Sequence, residues 1–307
     1  MVKRSFPKVF RLFHPLFLFG GVLLFALGSG IAHYLGHSID WSAYLLGQAC
    51  VTFLQLSLIL LKDYFDSLQN NPARQADARQ VSRGIIVDAE GEYHLTSQAS
   101  LLLAATALTS GAVFIAVLLR DGYLNPEIVT LLIVAFFLAF FYAAPPIQLA
   151  NSGYGELAIS ILLANLVPAL SFLLQAGSLH RLIAMTTFPL TPLYLAMSLA
   201  LGLPDYFGDL KNGRRTLLIR LGWQRGMNLH NILVLVGFLL VGFSITAGLP
   251  WRIAWPALLP LPVGLFQIWQ MNQIADGGKP RWRLLTITAM ATFSLTAYML
   301  AFSFWAG

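Results

Sequence analysis

The chain has 307 residues, 57% of them hydrophobic and only 10% charged, with a mean hydropathy of +0.71. Water-soluble domains carry charge at about a quarter of their positions, so this composition excludes an ordinary soluble enzyme and leaves a bilayer as the solvent. The 19 Lys and Arg against 13 Asp and Glu give a net charge of +6, but these cations lie between apolar runs without any nucleic-acid motif, and the single cysteine, Cys50, excludes a disulfide framework or Cys-based zinc site.

Residues 1–14 are basic, with Lys3, Arg4, Lys8 and Arg11, and the apolar run after them is too long for a signal-peptide core. It reads as a retained first helix. A spanning helix needs about 20 mostly apolar residues. Nine fit the sequence, near 15–36, 43–61, 99–119, 128–147, 156–175, 182–203, 229–248, 255–272 and 284–305. The eighth is interrupted by Pro256, Pro260 and Pro262. No stretch remains for a sizeable extramembrane unit, so 1–307 reads as one all-α transmembrane domain. On this placement 16 Lys and Arg fall on one side and 3 on the other, which puts the N-terminus in the cytoplasm and the C-terminus outside. Two long loops, about 62–98 and 204–228, follow the second and sixth helices on the cytoplasmic face, and long loops often serve as lids or binding elements.

Both loops open on acids. Asp63-Tyr64-Phe65-Asp66 follows the second helix and Asp205-Tyr206-Phe207-Gly208-Asp209 the sixth, so Asp-Tyr-Phe recurs 142 residues apart. If each helix continues past the hydrocarbon, Asp63 and Asp66 share a face, as do Asp205 and Asp209. Like charges at that spacing repel, and acids at a helix C-terminus oppose its dipole. A hard divalent cation such as Mg²⁺ would offset both, held by one or two carboxylates plus substrate phosphate oxygens. The four aspartates are thus candidate metal ligands and catalytic residues for a diphosphate. The plain alternative is solvated loop acids, a reading their repetition on one face weakens.

Arg74, Arg79 and Arg83 follow the first pair, and Lys211, Arg214 and Arg215 the second. Such groups suit phosphate, although topology alone also favours cations there. Tyr142, near the end of the fourth helix, could turn its ring to a carbocation or serve as an interfacial anchor. The six histidines have no metal-ligand spacing, and no G-x-S-x-G elbow or P-loop is present.

These features resemble the UbiA superfamily of membrane prenyltransferases, which has nine helices and two aspartate motifs after the second and sixth. The resemblance is carried by residues 62–66, 141–156 (FYAAPPIQLANSGYGE) and 205–222 (DYFGDLKNGRRTLLIRLG). The last is most like the branch that prenylates 1,4-dihydroxy-2-naphthoate in menaquinone synthesis. The resemblance implies Mg²⁺-dependent transfer from a polyprenyl diphosphate to an aromatic acceptor, in a multi-pass inner-membrane protein whose active face is cytoplasmic. It implies Asp63, Asp66, Asp205 and Asp209 as Mg²⁺ ligands and Arg83 and Lys211 as diphosphate holders; Lys62, Asn70, Tyr142 and Arg215 are this chain's further candidates for the substrate site.

The chain departs from that pattern. Lys62 replaces an asparagine, Asn70 stands where some members carry an acid, Leu201 and Gly202 where relatives have Asn or Asp, and Gly84 where proline is common. Fewer ligands would leave one metal fewer, with Lys62 charging the diphosphate directly, or a weakened homologue that binds without turnover. A transporter would place its acids near mid-membrane, whereas these sit at helix ends. The acidic signature of a CDP-alcohol phosphotransferase is absent.

Overall fold

The structure is a computed structural model that describes residues 15–69, 79–82, 85–87, 93–211 and 213–307. Lipid offers no partner to a bare peptide group, so apolar segments satisfy their own N–H and C=O groups as helices. These are α1 (Pro15–Tyr34), α2 (Trp41–Gln69), α3 (Ser97–Arg120), α4 (Pro126–Ala143), α5 (Gly155–Ala176) and α6 (Arg181–Gly202). They continue with α7 (Tyr206–Lys211), α8 (Leu217–Leu221), α9 (Trp223–Thr246), α10 (Trp251–Leu258), α11 (Leu261–Ala275) and α12 (Trp282–Ala306). Among the described residues, 8 helices are long and apolar enough to cross a membrane. The chain is an integral membrane protein.

The predicted eighth span is instead two helices, α10 and α11, separated at Leu259 and Pro260. Proline brings no N–H to the ladder and crowds the preceding turn, and this segment holds three prolines within seven positions. The helix α2 runs past its predicted end at 61 to Gln69. The loop beyond it contains a small antiparallel sheet, β1 (Arg79–Ser82), β2 (Ile85–Val87) and β3 (Tyr93–Leu95), in that order, with Arg79 opposite Val87 and Ile86 opposite His94. This sheet is the departure from a purely helical reading.

The bundle is built around α5, whose apolar stretch is 78% buried against 22% for α3 and for α4. Residues Leu162–Leu166 of α5 are wound as π-helix, with Val167 N–H bonding Leu162 C=O. Pro168 follows directly and has no N–H to offer the turn before it. Small residues let α1 approach α5, as is usual where apolar side chains gain nothing by leaving lipid. A Cβ on Gly28 would lie 2.1 Å from the Pro168 carbonyl oxygen. The hydroxyls of Ser29 and Ser171 meet at 2.7 Å, and Ser171 donates to the Phe25 carbonyl. The lipid-facing side is apolar, with Leu102, Val113 and Phe137 exposed.

Tryptophans gather at both ends of the bundle, with Trp41 stacked on Trp305 at one and Trp223 against Trp282 at the other, as expected of interfacial belts. At the Trp41 end, the Asp40 side chain accepts from the N–H groups of Ser42 (2.8 Å) and Ala43 (3.1 Å), capping α2, and from the Tyr123 hydroxyl (2.7 Å). The Tyr123 hydrogen bond, with the two backbone donors, holds the Asp40 carboxyl below the usual aspartate value.

The contact of α1 with α5 yields a paired test. Gly28→Leu should lower the melting temperature in detergent, overpacking of this kind costing about 1–3 kcal/mol. Gly20→Leu, where nothing lies within 4 Å of the added Cβ, should leave it unchanged.

Candidate active site

The last turns of α2 carry Lys62, Asp63 and Asp66, and helical spacing puts Lys62 and Asp66 on one face. The Lys62 ammonium lies 2.9 Å from Asp66 Oδ2, with the two side chains 29% and 10% exposed. The second pair does not ride on a continued α6. That helix ends at Gly202, Pro204 follows in a turn, and Asp205 precedes the separate short helix α7, where Asp209 N–H donates to the Asp205 carbonyl at 2.8 Å. The extra turn swings the second motif toward the end of α2.

One guanidinium joins the motifs. Arg214 Nη1 lies 3.3 Å from Asp209 Oδ1, and Nη2 lies 3.6 Å from Asp66 Oδ2. The residue just before it, Gly213, has φ +69°, a left-handed conformation that glycine adopts freely and that turns the chain back. Asp66 Oδ1 accepts from the Asn151 amide at 3.0 Å. Just beyond it, in the first turn of α5, both oxygens of Glu156 accept from Leu217 N–H, at 3.1 and 3.2 Å. Tyr154 packs its ring 4.4 Å from the Arg220 guanidinium carbon. The α4–α5 connection and the first turn of α5 thus hold both motif segments.

Asp205 stands at the surface yet is partly screened from water by its neighbours. That desolvation, followed by the nearby Asp209 carboxylate, pushes its carboxyl above the usual aspartate value, against the opposing pull of Arg214. Tyr142 is half-buried within electrostatic reach of Lys62, Asp63, Asp66 and Glu156.

The structure therefore gathers Lys62, Asp66, Asp209 and Arg214 by direct contact, with Asp63, Asp205 and Tyr142 beside them. Lys211, at the end of α7, and Arg215, on the loop after it, are exposed, and it is Arg214 that reaches the carboxylates. Asn70 and Arg83 lie outside the described residues. Asn151 and Glu156 were legible only as parts of a motif, since a hydrogen bond across 85 residues leaves no local signal. The donor set is hard carboxylate oxygen, which suits Mg²⁺. Among the described residues no three His, Cys, Asp or Glu side chains close around one point. Substrate phosphate oxygens would therefore complete the shell of an ion held here.

Two aspartate motifs brought together at one end of a helical membrane bundle are what the sequence resemblance led one to expect, and the description "UbiA prenyltransferase family" matches residues 22–290. The chain belongs to the UbiA prenyltransferase family. It is 26% identical over 144 residues to a 1,4-dihydroxy-2-naphthoate octaprenyltransferase of Bacillus subtilis (strain 168), a stretch covering 46% of each chain, so the match spans about half of that relative. A UbiA homologue of Archaeoglobus fulgidus solved with GPP and Mg²⁺ superposes with a TM-score of 0.65 at 16% identity, over 98% of this chain and 100% of that one. The same homologue with DMAPP and Mg²⁺ gives 0.65 at 15% identity, over 97% and 99%. At these identities the structural likeness establishes the UbiA fold.

The raised carboxyl of Asp205 has a signed consequence in this UbiA-family site. The fold favours the protonated acid, so ionising it above its folded-state pKa costs stability. In metal-free protein at pH 7, Asp205→Asn should raise the melting temperature. The difference from wild type should vanish as pH falls toward 3.8, the ordinary aspartate value, in melting curves recorded with chelator.

Proposed function

We propose that this chain, acting as a single domain, catalyses Mg²⁺-dependent transfer of a prenyl group from an isoprenoid diphosphate to an aromatic acceptor. The site faces the cytoplasm, and the N-terminus lies on that side of the cell membrane. One observation carries the reading: acids from segments 142 residues apart converge on one end of the bundle and share a single guanidinium. Family membership, and solved homologues whose titles name GPP or DMAPP with Mg²⁺, support the donor class. The acceptor rests on the partial match to the Bacillus subtilis relative, which makes 1,4-dihydroxy-2-naphthoate the first to try.

In this reading the carboxylates of Asp63, Asp66, Asp205 and Asp209 gather the cations, Mg²⁺ among them, that face the diphosphate. When bound, the metal neutralises the diphosphate and makes it a competent leaving group. Arg214 turns its planar fork from the carboxylates to phosphate oxygens, which it matches bidentately. As the allylic carbon–oxygen bond breaks, its electron pair leaves with the diphosphate. The Tyr142 ring then faces the allylic cation, the acceptor's aromatic carbon forms the new carbon–carbon bond, and that carbon's proton is lost. The apolar bundle below the site keeps water from the cation. Asn151 and Glu156 hold the two motifs in register throughout.

The test is prenyl transfer by purified protein in nanodiscs with Mg²⁺, geranylgeranyl or longer diphosphates and a panel of aromatic acceptors. Wild type should form a metal-dependent product. Asp209→Ala and Asp66→Ala should each lose at least about 100-fold in rate, as removal of one electrostatic stabiliser does elsewhere. Diphosphate binding without product in wild type would favour the weakened homologue, and no metal-dependent binding would sink the reading.

A further inference from the structure

We infer that Lys62 is a built-in cation of the site, taking the place of one divalent ion at the first aspartate motif. This rests on the prenyl-diphosphate reading above and goes beyond it by fixing how many ions the site takes up.

The geometry around Asp66 points there. Its Oδ2 is held by Lys62 at 2.9 Å and approached by Arg214 at 3.6 Å, while Oδ1 accepts from Asn151 at 3.0 Å. Both oxygens are thus already served by protein donors on a side chain that is 10% exposed. Three donors around about four lone-pair sites leave a metal ion at Asp66 little room, and any such ion would sit close to the Lys62 ammonium.

Lys62 itself cannot ligate a metal while protonated. Its ammonium has three donors and no acceptor, and its charge repels a second cation placed against the same carboxylate. Asp66 takes one of those donors, and the ammonium can turn others to a phosphate oxygen. A compact charge on a flexible stem can follow such an oxygen, unlike a rigid fork.

Helix stability does not account for the pair. In an i, i+4 pair the favourable order is acid before base, and here the base comes first. The carboxylate also sits in the closing turns of α2, where it opposes the helix dipole. The pair therefore adds little to the helix end, and it sets an ammonium where the site would otherwise need an ion.

Ion uptake is countable. Anything bound together with a ligand shifts that ligand's apparent affinity by mass action, so the slope of log affinity against log free Mg²⁺ counts the ions taken up. The probe is a non-ionisable geranylgeranyl thiolodiphosphate, bound to wild type, Lys62→Asn, Lys62→Met and Lys62→Arg in detergent. Gel filtration and melting curves show which variants are folded, and counting Mn²⁺ by electron paramagnetic resonance gives an independent number. The Asn and Met variants should take up one more ion than wild type, so each tenfold fall in free Mg²⁺ should cost them about tenfold more affinity. Lys62→Arg, which keeps a cation, should match wild type; if the Asn variant does not fold, Met against Arg decides. Equal slopes and equal Mn²⁺ counts in wild type and Lys62→Met overturn the inference while leaving the prenyl-diphosphate reading standing. Absence of metal-dependent binding in wild type overturns both.

Discussion

Four carboxylates brought to one end of a membrane bundle repel one another, and at the margin of hydrocarbon that repulsion is screened far less than in water. The site-end architecture follows from how the chain answers this. Lys62 neutralises Asp66 from within α2, and Arg214 reaches across from the second motif to touch Asp66 and Asp209 at once. For the guanidinium to reach, α2 must extend to Gln69, α6 must stop at Gly202, and the chain must turn at Gly213. The loading that proposed catalysis requires is an exchange of counter-ions, in which cations that now face carboxylates come to face phosphate.

The two ends of the bundle are built to different standards. At the Trp41 end the carboxylate of Asp40 caps α2 and takes the Tyr123 hydroxyl, while its backbone exchanges hydrogen bonds with the Gln175 amide. That end is closed by neutral and capping hydrogen bonds that need no ligand. At the other end the polar groups are charged and shared, which suits groups that must change partners. Between them the small residues of α1 and the buried face of α5 fix the helices, while α3 and α4 turn apolar surfaces to lipid.

The spans were legible because hydrocarbon thickness demands long apolar runs, and their observed ends mostly fall close to the predicted ones. The end of α2 was not, since apolarity stops where the hydrocarbon stops while hydrogen bonding continues through Lys62, Asp63 and Asp66. The prolines of the eighth segment announced a break but not that it would yield two helices. In the long loop, Ile85-Ile86-Val87 is a β-branched run of the sort strands favour, too short to weigh against the surrounding polar sequence. The aspartates stood out by repetition. Which of three neighbouring cations would reach them did not, because it is the turn at Gly213, between Lys211 and Arg214, that brings Arg214 back to the carboxylates.

The α4–α5 connection and the first turn of α5 hold Asp66 through Asn151 and the start of α8 through Glu156, so they work as a caliper set across the mouth of the site. A caliper is sensitive to its length and indifferent to the finish of its outer faces. Sequence drift can therefore proceed freely over the lipid-facing sides of α3 and α4, where one apolar residue serves as well as another. A single residue inserted or deleted between Asn151 and Glu156 would respace the two jaws. Divergence in this lineage should therefore show as substitutions almost everywhere and as changes of length almost never in that one short connection.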